Sequence, residues 1–276
     1  MAPDLSHVLE IAMRTDPGVV RSHNEDAIWS NAALGIVVLA DGMGGYNAGE
    51  VASGMATTLI ASQLAAALSE HAPQGLDVSA SRELASRYLL ECIGEANASV
   101  HRAAVSQPQY QGMGTTIVAG LFYDNTLTLA HIGDSRAYRF RDGELVQITK
   151  DHSLLQEQID SGLITPEQAK QAAHKNLVTR ALGVDEVVEI DVLDHDVRAG
   201  DIYLLCSDGL NDMLGDDEIA LTLQSLGANL ELAATQLVQM ANDNGGRDNV
   251  SVILAKITGD FHSPRTWLER FSAWLK

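Results

Sequence analysis

Cysteine is scarce in this 276-residue chain, which has only Cys92 and Cys206. They lie far apart in apolar segments, so they form neither a disulfide framework nor a zinc ligand set. Aromatic residues are only 5% of the total, which leaves an aliphatic core. Basic residues are few as well: 18 Lys and Arg stand against 37 Asp and Glu, a formal charge of -19. That balance argues against nucleic acid and anionic membrane surfaces as partners, because both need clustered cations. No run approaches the ~20 apolar residues of a membrane span. The start, Met1-Ala2-Pro3-Asp4, lacks a basic region followed by an apolar stretch, so no signal peptide is expected and a cytoplasmic location is.

Apolar residues make up 46%, enough for a sizeable core. Strand patterns are expected at 8–13, 35–40, 115–123, 126–132, 136–141, 144–149, 187–192, 202–207 and 250–257. Helical spacing is expected at 48–70, 82–105, 216–225 and 229–243, and in parts of 151–180. Asp124-Asn125 and Asp142-Gly143 mark hairpin turns, and strands joined so closely pair antiparallel. Thr165-Pro166-Glu167-Gln168 has the form of a capping box with proline at the first helical position. Meanders interrupted by helix pairs give an antiparallel sandwich with helices on its outer faces. We expect one domain, residues 1–258, and a short amphipathic tail, 259–276. In the tail Trp267, Leu268, Phe271, Trp274 and Leu275 share one helical face, with packing on the domain, or docking to a partner or a membrane surface, as its readings.

Four aspartates fall at the ends of the most strand-like runs. Ile36 to Ala40 leads into Asp41-Gly42, Leu127 to Ile132 into Gly133-Asp134, and Tyr203 to Ser207 into Asp208-Gly209. Asp248-Asn249 opens Val250 to Leu254. A carboxylate at a strand end is held by rigid backbone at the rim of a sheet. Several on one rim would form the hard-oxygen site that magnesium or manganese needs. In Asp41-Gly42-Met43-Gly44-Gly45, Asp41 could bridge two cations and Gly42, without a side chain, would let its carbonyl approach one. An ordinary Asp-Gly turn is the competing reading of that motif alone.

Six blocks in order carry a resemblance: Arg21 to Asp26, Ala40 to Gly45, Gly112 to Thr116, His131 to Arg136, Cys206 to Leu210, and Gly246 to Val250. Together they resemble the metal-dependent serine/threonine protein phosphatases of the type 2C class (the PPM family) over roughly residues 8–257. The resemblance implies an α+β, four-layer α-β-β-α sandwich. It implies a dinuclear manganese or magnesium centre held by Asp41, Gly42, Asp208 and Asp248, with Glu25 holding a metal-bound water. Arg21 would grip the substrate phosphate, and Asp134 would bind a third, weaker ion with Asp208 shared. Asp212 and Asn176 fall near that third position. The implied activity is hydrolysis of phosphoserine and phosphothreonine in proteins by a metal-activated water, with Arg21, Asp41, Asp208 and Asp248 as the catalytic set. The expected partners are phosphorylated proteins, including a serine/threonine kinase and its substrates, and a monomer is expected.

Phosphate monoester hydrolysis needs accelerations approaching ~10²¹-fold, which paired cations can supply through an activated water. Covalent cysteine chemistry is excluded: the arginine required six positions on is Ala98 after Cys92 and Asp212 after Cys206. The chain departs from many eukaryotic members at Met43, where they carry a histidine regarded as the proton donor. A thioether cannot protonate an alkoxide, so the acid is expected to be a water at the cations or another side chain. His23 and His131 are read as packing or hydrogen-bonding residues. Residues 150–180 correspond to the family's variable flap. The alternative function is a non-catalytic phosphoprotein-binding scaffold on the same fold. A serine esterase built on Gly133-Asp134-Ser135 lacks the C-terminal D-x-x-H pair, and His195-Asp196 lacks the partner histidines of an HD-type phosphohydrolase.

Overall fold

The computed structural model describes residues 4–45, 48–74, 76–165, 168 and 177–263. Ile36 to Ala40 shows no polar alternation, the pattern of a strand covered on both faces. In the strand it forms, β3 (Ile36–Met43), Ile36, Val38 and Ala40 face helices, while Val37 and Leu39 face a second sheet. Its sheet runs in the order β2 (Asp26–Asn31), β3, β5 (Ile117–Tyr123), β6 (Thr126–Ile132), β9 (Asp191–Asp196), with β4 (Gly114–Thr115) beside the end of β3. The other sheet runs β1 (Leu9–Asp16), β11 (Val250–Ile257), β10 (Ile202–Cys206), β7 (Arg136–Arg141), β8 (Glu144–Gln147). All of these pairings are antiparallel.

The turn dipeptides do what their chemistry suggests. Asp124 and Asn125 have φ of 45° and 54°, and Asp142 and Gly143 have 53° and 83°. Two successive left-handed residues match the twist of the strands they join.

Helices α1 (Ala48–Glu70) and α2 (Val78–Ser106) cover the first sheet. α3 (Leu154–Asp160) and the one-turn α4 (Asp208–Asn211) follow, and α5 (Asp216–Leu226) and α6 (Leu230–Asp243) cover the second sheet. Three apolar layers result: helix on sheet, sheet on sheet, and sheet on helix. This is the expected four-layer sandwich. Among the described residues one helix, α1, is long and apolar enough to cross a membrane by length and composition. Its Ala52, Ala56, Ile60 and Leu64 are instead buried on the sheet.

Some boundaries differ from the sequence reading. α2 starts at Val78 because Asp77 caps it, accepting from the Ala80 N–H at 3.1 Å. The strand expected at 187–192 is β9, at Asp191–Asp196. Val188 and Ile190 pack on the helix-side core from an unpaired segment, held by Asn97 Nδ2 donating to the carbonyls of Asp185 and Glu186. β2 was not expected at all; it is a half-buried edge strand. Thr165 and Gln168 make both reciprocal capping-box bonds. The tail face beginning at Arg265, and Asn176, lie outside the described residues. Beyond β11, Phe261 is buried in the inter-sheet core and the Ser263 N–H donates to Asp124 Oδ1 at 2.7 Å.

Candidate metal centre

Antiparallel order brings the ends of β3, β6 and β10 and the beginnings of β2, β5 and β11 to one edge of the sandwich. Alternation then sets direction: Val37 and Leu39 point between the sheets, and Asp41 continues that row. Asp26 is its cross-strand partner in the β2–β3 register.

Asp41, Asp26 and the segment carrying Glu25 are each fastened by hydrogen bonds. The Asp41 N–H donates to Thr116 Oγ1 at 3.0 Å, and its carbonyl accepts from the Thr116 N–H and Thr115 Oγ1, both at 2.8 Å. The Gly112 to Thr116 motif is therefore a clamp on Asp41. Asn249 ties the Arg21 to Asp26 segment to the start of β11. Its Oδ1 accepts from the Glu25 N–H at 2.8 Å, and its Nδ2 donates to the carbonyls of Pro17 at 3.0 Å and His23 at 2.9 Å. Ser207 Oγ donates to Asp26 Oδ2 at 2.8 Å and accepts from the Ser251 N–H at 2.9 Å.

The structure gives Gly42 a packing reason for being glycine. A Cβ there would stand 2.1 Å from the Gly49 carbonyl oxygen and 2.6 Å from that of Glu25. The first turn of α1 thus closes directly on β3, and the Gly42 N–H donates to the Glu25 carbonyl at 3.1 Å.

The electrostatics are one-sided. Burial, then the charges of Asp26, Asp208, Asp134 and Asp248, push the Asp41 carboxyl well above the usual range. Burial, then Asp134, Asp212, Asp248 and Asp26, do the same to Asp208. Burial chiefly raises Asp26 to about 6, and burial with Asp151 and Asp212 raises Asp134 to about 6. Burial lifts Glu25, with Arg21 opposing. Among the described residues, two arginines stand near the group. Arg21 sits at the rim, half-exposed, with Nη2 2.7 Å from Asp248 Oδ2. Arg136 is committed to Asp151 by three hydrogen bonds of 2.7–3.0 Å.

Asp41, Asp134, Asp208 and Asp248 are thus brought together as the sequence reading expected, with Glu25 and Arg21 beside them. Asp212, one turn after Asp208, adds its charge to the same group. Met43 pairs with Gly114 and is half-buried. His131 is buried with Nε2 2.9 Å from the Lys150 carbonyl, the hydrogen-bonding role expected of it. Asp26 was missed as a site residue; its place opposite Asp41 in a hairpin is the signal that finds it. The oxygen-only donor set fits hard divalent cations. Glu25 Oε1 and Asp26 Oδ1 are buried with no hydrogen-bond partner, the lone pairs that a cation or its water would fill.

A layered sandwich with a buried carboxylate cluster on one edge defines a class of cation-dependent proteins. The sequence profile described as Protein phosphatase 2C matches residues 20–254, and the chain belongs to that family. It is 42% identical over 250 residues to the serine/threonine protein phosphatase PstP of Mycobacterium tuberculosis, covering 91% of this chain and 45% of that protein. The chain therefore spans about half the length of that relative. It is 37% identical over 246 residues to the serine/threonine phosphatase stp of Listeria monocytogenes, covering 88% of this chain and 94% of that one. The crystal structure of the PstP catalytic domain in complex with two manganese ions is similar at a TM-score of 0.79 and 40% identity, covering 91% of this chain and 99% of that one. Stp1 from Staphylococcus aureus is similar at 0.82 and 36% identity, covering 93% and 98%.

Proposed function

We propose that this chain hydrolyses phosphoserine and phosphothreonine in proteins, using water at a dinuclear manganese or magnesium centre. The carrying observation is the cluster itself: at one sandwich edge Asp26, Asp41, Asp134 and Asp208 have their pKa raised by burial and by neighbouring carboxylates, the charge of Asp248 among them. Asp41, Gly42, Asp208 and Asp248 would hold the ion pair, with Glu25 and Asp26 holding its waters. Asp134 and Asp208 would hold a third ion. Bound there, the cations supply an ionised water and offset charge on the phosphoryl oxygens. Arg21 anchors one edge of its guanidinium on Asp248 and presents the remaining donors outward, suited to phosphate oxygens. Neither thiol can serve as nucleophile, because burial pushes both Cys92 and Cys206 up to about 12 and keeps them protonated.

The partners of this reading are phosphorylated proteins, among them a serine/threonine kinase and its substrates, met by a monomer in the cytoplasm. A residue set that only bound phosphoproteins would not require this excess of ligand oxygens. The test is phosphate release from a phosphothreonine peptide at saturating manganese. Release that falls at least ~10³-fold in Asp208→Asn supports the enzyme. No release from the unmodified chain would favour the binding scaffold.

A further inference from the structure

Beside the carboxylate cluster, His131, His152 and Asp191 bring potential ligand atoms within 4.8 Å of one another. Both rings are at least 95% buried, and His131 Nδ1 and His152 Nε2 have no hydrogen-bond partner. A second metal site is the first idea this suggests, and proton positions exclude it. His152 Nδ1 lies 3.1 Å from the Gly133 N–H, a donor, so Nδ1 carries the lone pair and Nε2 carries the proton. A neutral ring cannot also offer Nε2 to a metal. The two rings are stacked, 4.8 Å between centroids and 21° between planes, so their in-plane lone pairs do not converge.

The same proton placement defines a different role. Nε2–H faces Asp191 Oδ2 at 3.4 Å, a poorly aligned but negatively charged neighbour, and Asp191 Oδ1 accepts from Arg180 Nη1 at 3.1 Å. The His152 main chain adds a second grip, its N–H donating to the Gly133 carbonyl at 2.9 Å. On the other side of Gly133 stands Thr116, the residue that clamps Asp41. Gly133 has φ +101°, and a Cβ there would lie 2.7 Å from Thr116 Cγ2. Gly133 is thus fixed between the Asp41 clamp and His152, and the next residue is Asp134. Burial, then His131 and Arg180, lower the His152 pKa, which keeps the ring neutral and Nδ1 an acceptor.

We propose that His152 is a positioning residue: oriented by Asp191, its ring clamps Gly133 and thereby aims the Asp134 carboxylate at the cation shared with Asp208. The inference rests on the metal assignment made above for Asp134. His152 acts through Gly133 and does not touch the reacting atoms.

The test is titration of the full, EDTA-stripped chain with Mn²⁺ by isothermal calorimetry, together with thermal unfolding, for the unmodified chain, Asp134→Asn, His152→Asn and His152→Gln. Asparagine places its carbonyl oxygen where Nδ1 stands and keeps the Gly133 acceptor. Glutamine reaches the Nε2 position and keeps only the Asp191 contact. The weakest Mn²⁺ site should survive in His152→Asn within about threefold and weaken at least ~10-fold in His152→Gln, the loss typical when a ligand's supporting partner is removed. The tight sites should be unchanged in both. Equal isotherms for the Asn and Gln variants, whether both intact or both weakened, would overturn the role of His152, whatever their melting temperatures. An isotherm unmoved by Asp134→Asn would instead overturn the metal assignment, and the proposal with it.

Discussion

Replacing Asp134 by asparagine should stabilise the metal-free protein and weaken the loaded one. Asp134 is 8% exposed, and burial with the charges of Asp151 and Asp212 moves its half-protonation point from 3.8 to about 6. The folded-state pKa is raised, so the favourable contribution belongs to the protonated form, complete below the unfolded pKa and lost as pH rises through about 6. At pH 7.5 the ionised carboxylate then costs the folded state about 3 kcal/mol, at 1.36 kcal/mol per pKa unit. At pH 4.5 the same linkage leaves about 1 kcal/mol. Asparagine keeps the shape and removes the charge. With about 2–4 °C per kcal/mol for a chain of this size, the variant should melt roughly 5–10 °C higher at pH 7.5 in EDTA. The gain should shrink about threefold at pH 4.5. Saturating Mn²⁺ should cancel it, since a cation supplies the compensation that the substitution makes unnecessary. Circular dichroism melts at both pH values, with and without Mn²⁺, read all three comparisons. A variant that melts at or below the unmodified protein at pH 7.5 without metal would refute the reasoning, as would a gain independent of pH.

Gly42→Ala places a methyl 2.1 Å from the Gly49 carbonyl, so α1 must retreat from β3. The expected cost is about 1–3 kcal/mol, with weaker Mn²⁺ binding, and an unchanged melting temperature would refute it. Asn249→Ala removes three hydrogen bonds of Asp248's neighbour, two to the Arg21 to Asp26 segment and one to the Pro17 carbonyl. It should cost about 2–3 kcal/mol and reduce Mn²⁺ affinity in calorimetry; a loss of stability with affinity intact would refute its positioning role. Arg21→Ala breaks an exposed ion pair and should change stability by less than about 1 kcal/mol. The KM for a phosphothreonine peptide should nevertheless rise roughly 10-fold, with kcat less affected. An unchanged KM would remove Arg21 from the phosphate site.

The sequence made some of this legible because the relevant physics is local. A run such as Ile36 to Ala40 declares both its faces, and an aspartate directly after it must lie at a sheet rim. The dipeptides Asp124-Asn125 and Asp142-Gly143 carry their turn conformation within two residues. Asp26 stayed hidden because β2 is a half-buried edge strand without clear alternation, so nothing in its own composition announces the pairing with Asp41. Thr116, Ser207 and Asn249 were illegible as clamps for a related reason. Their partners lie 75, 181 and 224 residues away, and only the completed sandwich makes them neighbours. Gly42 shows a third case, in which the motif was visible but its packing cause, the approach of Gly49, was not.

The clamps and the repulsion explain each other. Carboxylates that raise one another's pKa would drift apart if they stood on loops, and the cluster would dissipate. Here Asp41 is pinned through both its N–H and its carbonyl, Asp26 through Ser207, and the segment carrying Glu25 through Asn249, each by a residue beside a different strand end. These hydrogen bonds hold the charges where solvation alone would not, so the folded chain carries an electrostatic debt that divalent cations relieve. Selectivity for doubly charged, oxygen-loving ions then follows from rigidity as much as from ligand type: a single proton or a monovalent ion cannot offset several fixed carboxylates at once. Loosening any one clamp should therefore lower cation affinity even though no ligand has been touched.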